Sequence, residues 1–112
     1  MTFRAFDVVV VPFPFTDRTT TKRRPALVLS DASRFNKKVG ESVLAMITSA
    51  SNSDWPLDIN IQDLDAADLP SASVVRMKLF TLDDKLVIRK AGVLAKQDKS
   101  AVSSALQQLF GM

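Results

Sequence analysis

Arg23-Arg24-Pro25 runs directly into Ala26-Leu27-Val28-Leu29-Ser30 and follows a polar stretch from Thr16 to Lys22. This order sets two guanidinium groups at the foot of a strand beside a loop, a position from which a small β-domain can hold an anionic phosphate. The chain contains no histidine and no cysteine. Its chemistry must therefore be done with arginine, hydroxyl and carboxylate groups. Arginine stays protonated at any physiological pH, so it serves to stabilise negative charge and is a poor proton acceptor.

The elements that must hold these arginines belong to one domain, spanning residues 1–112. A hydrophobic content of 46% beside 24% charged residues is that of a globular protein and excludes a disordered chain. Val8 to Val11 is too short for the apolar segment of a signal peptide, and no run reaches the roughly 18–20 apolar residues of a membrane span. The expected location is cytoplasmic, away from membranes. Charge is segregated along the chain. Residues 1–40 carry eight basic side chains against three acidic, 41–70 carry six acidic and no basic, and 71–112 carry seven basic against three acidic. Two basic segments folded onto one face would attract a polyanion. A solvated surface of mixed sign is the competing reading.

Val-rich Asp7 to Phe13 reads as a first strand ended by Pro12 and Pro14, and Thr16 to Lys22 as a loop. Pro25 to Ser30 has the length and apolar continuity of a strand buried on both faces. Asp31 to Lys38 suits one or two helical turns capped by Ser30 or Asp31. Ser42 to Ser49 reads as a third strand. Leu57, Ile59 and Ile61 alternate with Asp58, Asn60 and Gln62 as in a half-exposed strand. Ser73 to Arg76, Lys78 to Leu82 and Leu86 to Leu94 are shorter candidates. From about Asp98 the period becomes helical through Val102, Leu106, Leu109 and Phe110, with Asp98 as the expected cap and Gly111 as the stop. The expected fold is mainly β, a small bent β-barrel with a C-terminal α-helix packed on it.

Phe6-Asp7-Val8-Val9-Val10-Val11-Pro12-Phe13-Pro14-Phe15-Thr16-Asp17, followed by Lys22-Arg23-Arg24-Pro25-Ala26-Leu27-Val28-Leu29-Ser30, resembles the MazF/PemK (Kid)-like toxins of type II toxin–antitoxin systems. The likeness continues through Met46-Ile47-Thr48-Ser49 and through Ser73 to Asp83, so it covers nearly the whole chain. It implies an SH3-like barrel of the CcdB/MazF/PemK type, a homodimer, a cognate antitoxin partner, and a metal-independent endoribonuclease that cuts single-stranded RNA, the mRNA of the cell. No cofactor is implied. The family's active-site arginine before proline and its strand-end threonine correspond to Arg24 and Thr48. Of the Arg-x-Asp pair of the Kid-like branch, Arg76 matches. Either Lys78 stands where the aspartate would be, or a gap shifts the register.

RNA carries its own nucleophile, the 2′-hydroxyl beside each phosphodiester, so internal attack needs neither metal nor catalytic water. Arg24 suits stabilisation of the charge on a five-coordinate phosphorus, and Thr48 suits orientation of a phosphate oxygen or the 2′-hydroxyl. Asp17 in the loop is the candidate base. Arg18, Lys22, Arg23 and Lys78 are placed along the RNA backbone. Phe13, Phe15 and Trp55 are candidates for base stacking, with core packing the rival role for the two phenylalanines. Asp63, Asp65 and Asp68 lack the turn glycine of a calcium loop and are read as caps and surface charges, not metal ligands. The alternative function is a non-catalytic barrel resembling CcdB, which inhibits DNA gyrase by binding it. The incomplete Arg-x-Asp pair keeps that alternative open.

Overall fold

The four-valine run lies in β1 (Asp7–Phe13) of a computed structural model that describes residues 2–13, 22–52 and 54–112. β2 (Lys22–Val28) pairs antiparallel with β1, from Val8 across Leu27 to Phe13 across Lys22. The strand thus begins three residues before the expected Pro25. Pro25 causes no conflict, because β2 pairs with β3 (Glu41–Ser49) only from Ala26 to Val28. Between β2 and β3 a turn at Ala32–Asn36 runs into the short α1 (Lys37–Val39). Asp31 caps it as expected, accepting from the Arg34 N–H at 2.9 Å. The fully buried Asn36 ties this turn inward, donating through Nδ2 to the Phe3 carbonyl at 2.9 Å and the Ser30 carbonyl at 3.0 Å.

β4 (Ile59–Asn60), α2 (Leu64–Ala67), β5 (Ser73–Asp83), a 3₁₀ turn at Asp84–Leu86, β6 (Arg89–Val93) and α3 (Lys96–Phe110) complete the chain. The six strands form one antiparallel sheet in the order β4-β5-β3-β2-β1-β6. The fold is mainly β, a half-barrel with a C-terminal helix, in keeping with the expectation from sequence.

Three local expectations are corrected. The alternating stretch from Leu57 to Ile61 gives only a two-residue strand, since Leu57 is left-handed at φ 65° and cannot extend it. Ser73–Arg76 and Lys78–Leu82 are one strand. The register shifts between Ala45 and Met46, whose partners on β5 are Leu79 and Arg76, so a bulge at Met77-Lys78 breaks the apolar alternation without ending the strand. α3 starts at Lys96 with Ala95 as its cap, so Asp98 is not the capping residue. Its carboxylate, 1% exposed, instead accepts the backbone N–H groups of Gln62 and Asp63, each at 3.0 Å. Gly111, left-handed at φ 68°, ends α3 as the sequence predicts.

Strand alternation divides the core in two. Val8, Leu27, Ala45, Ile47, Val75 and Met77 face α3 and pack with Val102 and Ala105. Val9, Val11, Ala26, Val28, Leu44 and Leu82 occupy the opposite face under Phe3. Gly92 lets α2 close on β6, since a Cβ there would lie 2.4 Å from the Ala66 carbonyl oxygen.

Candidate functional site

Residues directly across from one another on antiparallel neighbours share a face. Ala26, Met46 and Arg76 form such a row across β2, β3 and β5, on the face away from α3. Arg24, two residues before Ala26, and Thr48, two residues after Met46, alternate to this same face, just beyond the point where the β2–β3 pairing ends. Arg24 is half-buried, sits across from Val11 on β1, and takes part in no ion pair among the described residues. Thr48 is held by its own strand end, where Oγ1 accepts from Asn52 Nδ2 at 2.6 Å.

Arg76 is gripped more tightly. The pairing of Ile59 with Val75, continued by one step, sets Asp58 across from Arg76. Arg76 Nε donates to Asp58 Oδ1 at 3.2 Å and Nη2 donates to Oδ2 at 3.0 Å, with the two side chains 13% and 19% exposed. This planar two-bond pair raises the Arg76 pKa above its ordinary value, the Asp58 hydrogen bond being the main cause and partial burial opposing it. Arg76 is a fixed cation.

Trp55 lies against the same group. Its ring centroid is 5.5 Å from Arg76 Cζ and 6.0 Å from Lys78 Nζ, while 41% of the residue stays exposed. The structure therefore brings Arg76, Lys78 and Trp55 together and adds Asp58, which sequence reasoning had assigned to the outer side of a strand. No local spacing signals Asp58, because its partner lies 18 residues away in sequence. Exposed Lys22 shares the alternation of Arg24. Arg23 alternates to the other face, where it lines a separate cleft with Pro25 and Arg89. Asp17, Arg18 and Phe15 lie outside the described residues. Phe13, across from Lys22, is half-buried at the end of β1.

Residues 4–110 match the family model described as PemK-like, MazF-like toxin of type II toxin-antitoxin system. Among solved structures, the chain is similar to MazF in the MazE-MazF crystal structure from Deinococcus radiodurans, at 24% identity and a TM-score of 0.79, covering 100% of this chain and 99% of that one. It is also similar to an endoribonuclease in complex with its cognate antitoxin from a mycobacterial species, at 15% identity and a TM-score of 0.76, over 99% and 95% of the two chains. A third similar structure is the Mycobacterium tuberculosis toxin MazF-mt6, at 18% identity and a TM-score of 0.74, over 95% and 97%. Comparison with curated proteins gives no match. No helix among the described residues is long and apolar enough to cross a membrane.

Proposed function

Because the chain belongs to the PemK-like, MazF-like toxin family of type II toxin–antitoxin systems, we propose that it cuts single-stranded RNA, the mRNA of the cell, without a metal ion. The observation that carries this reading is the common face shared by Arg24, Thr48 and Arg76 at one end of the sheet. A phosphodiester laid there meets a half-buried guanidinium, a hydroxyl and a second, fixed guanidinium within three neighbouring strands.

In the reaction the ribose 2′-oxygen attacks the adjacent phosphorus, an O2′–P bond forms and the P–O5′ bond breaks. The products are a 2′,3′-cyclic phosphate and a 5′-hydroxyl. Arg24 binds the non-bridging oxygens as they gain charge, and its planar fork matches two of them at once. Thr48 orients the 2′-hydroxyl or a phosphate oxygen. Arg76 adds positive charge and moves no proton, since Asp58 makes it harder to deprotonate. Asp58 holds Arg76 with both oxygens, so a proton taken there would break the pair it maintains. Asp17 is the candidate base, and solvent protonates the leaving 5′-oxygen.

Asp58, just before β4, sets a carboxylate beside Arg76 from outside the Arg-x-Asp segment. Trp55 offers an exposed ring for a splayed base, and Lys22, Arg23, Arg18 and Lys78 follow the backbone. The working form is a homodimer in the cytoplasm, silenced by a cognate antitoxin. The test is to incubate purified protein with a mixed-sequence transcript in excess EDTA and map the ends. Cleavage with cyclic-phosphate ends is expected. It should fall about 10²–10³-fold in a folded Arg24→Ala variant and vanish when the cut site is 2′-deoxy. Intact RNA beside a folded protein would return the chain to a CcdB-like binding role.

A further inference from the structure

The cleft on the α3 side of the sheet, around the foot of β2, has a composition unlike the rest of that face. Its volume is about 280 Å³, and Val10, Arg23, Arg24, Pro25, Asp68, Leu69, Pro70, Arg89 and Ala91 line it. The floor is a single row of paired residues, with Arg89 of β6 across from Val10 of β1 and Val10 across from Pro25 of β2. Two strand spacings of nearly 5 Å each separate Arg89 from Pro25, so Arg89 and the neighbouring Arg23 stand on opposite banks, about 10 Å apart. Long guanidinium side chains on either bank reach the space between them. Leu69 and Pro70, from the segment after α2, form an apolar wall.

We infer that this cleft is a nucleotide subsite, seating the nucleotide next to the one that is cut, with its phosphate between Arg23 and Arg89 and its base against Pro25, Leu69 and Pro70. The inference rests on the ribonuclease reading and extends it. Three features favour a nucleotide over a protein partner. Arg24 stands in its lining too, so the cleft meets the proposed reaction centre at the foot of β2, although the two lie on opposite faces of the sheet. It combines cations with flat apolar surface, the two needs of a single nucleotide. Its size lies just below the usual small-ligand range of about 300–1,000 Å³, enough for one nucleotide and too little for a length of peptide helix.

Asp68, the one acid among the described residues at the cleft, does not block it. Arg89 Nη1 and Asp68 Oδ2 are 3.8 Å apart, with their side chains 58% and 62% exposed, so the pair is loose and gives way to a phosphate. Arg89 gained no role from the sequence pattern, because what distinguishes it is its position across from Val10.

The experiment measures binding of a fluorescent 2′-O-methyl RNA of mixed sequence, which cannot be cut, over a range of salt concentrations. Arg89→Ala should weaken binding about tenfold and flatten the slope of log K against log salt by about 0.7, the loss of one phosphate contact on a single strand. Asp68→Asn, which keeps a residue tolerant of the left-handed backbone at φ 57°, should tighten binding about twofold. Lys96→Ala, an exposed cation on α3, should leave the slope as in the wild type. If the wild type cleaves RNA while Arg89→Ala keeps wild-type affinity and slope, the subsite is overturned and the ribonuclease reading stands. A wild type that neither binds nor cuts RNA overturns both. Displacement of a poly-glutamate probe by Arg89→Ala, with RNA binding unchanged, would overturn the subsite and give the cleft to an acidic protein.

Discussion

On the face of the sheet under α3, Leu27, Ala45, Ile47 and Val75 are all 1% exposed or less. On the opposite face lie Arg24 and three immediate sequence neighbours of those core residues, Met46, Thr48 and Arg76, all of them half-buried. The same three strands thus build a closed core and an open polar row, one residue apart. At the far end of the open face, Phe3 and the turn after Asp31 cover Val28 and Leu44, and the apolar core closes there too. The lesson is that the proposed site needs no element of its own. It is the part of the second face that no cover among the described residues reaches.

The largest test of this contrast compares two adjacent residues. Ile47→Ala should cost about 2–5 kcal/mol of unfolding free energy by denaturant titration, with RNA cleavage per folded molecule kept. Thr48→Val should change stability by no more than about 1 kcal/mol and cut the cleavage rate about tenfold. Equal destabilisation by both would mean that the two faces are not divided in this way. A smaller effect is expected at the Arg76 pair. Asp58→Asn keeps the shape of the side chain but removes its charge, and should lower kcat about fivefold with Asp58→Ala lower still. An unchanged rate in both would remove Asp58 from the site.

The smallest effect lies at the covered end. The Arg34 N–H and the Ser33 hydroxyl hold the Asp31 carboxyl below its ordinary pKa. A lowered folded value means that the stabilisation is complete above the unfolded pKa of 3.8 and is lost as pH falls through the folded value. The stability gap between wild type and Asp31→Ala should therefore be constant near neutral pH and shrink below about pH 4 in acid titrations. A gap that persists at lower pH would show that the cap acts without its charge.

Where structure follows from near neighbours, the sequence is a good guide. The valine run of β1, the Asp31 cap and the Gly111 stop all appear where local chemistry puts them. Arg24 and Thr48, expected from the family resemblance, lie on one face of the sheet, a placement that depends on the β2–β3 register. What was hidden depends on distant partners. The bulge at Met77-Lys78 looked like a break between two strands because its cause is the register of β3. Asp98 looked like a helix cap because its true acceptor role reaches 35 and 36 residues back along the chain. Asp58 looked like a solvent-facing strand residue for the same reason, and the left-handed Leu57 before it has no sequence signature.

The Asp98 carboxylate has a mechanical consequence. By clasping the main chain at Gln62 and Asp63, it fastens the first turn of α3 to the loop that leaves β4. Detaching α3 would do more than strip the cover from an oily surface. It would also unfasten the outermost strand and slacken the grip on Arg76 on the far side of the sheet, so the last helix keeps the distant guanidinium in its place.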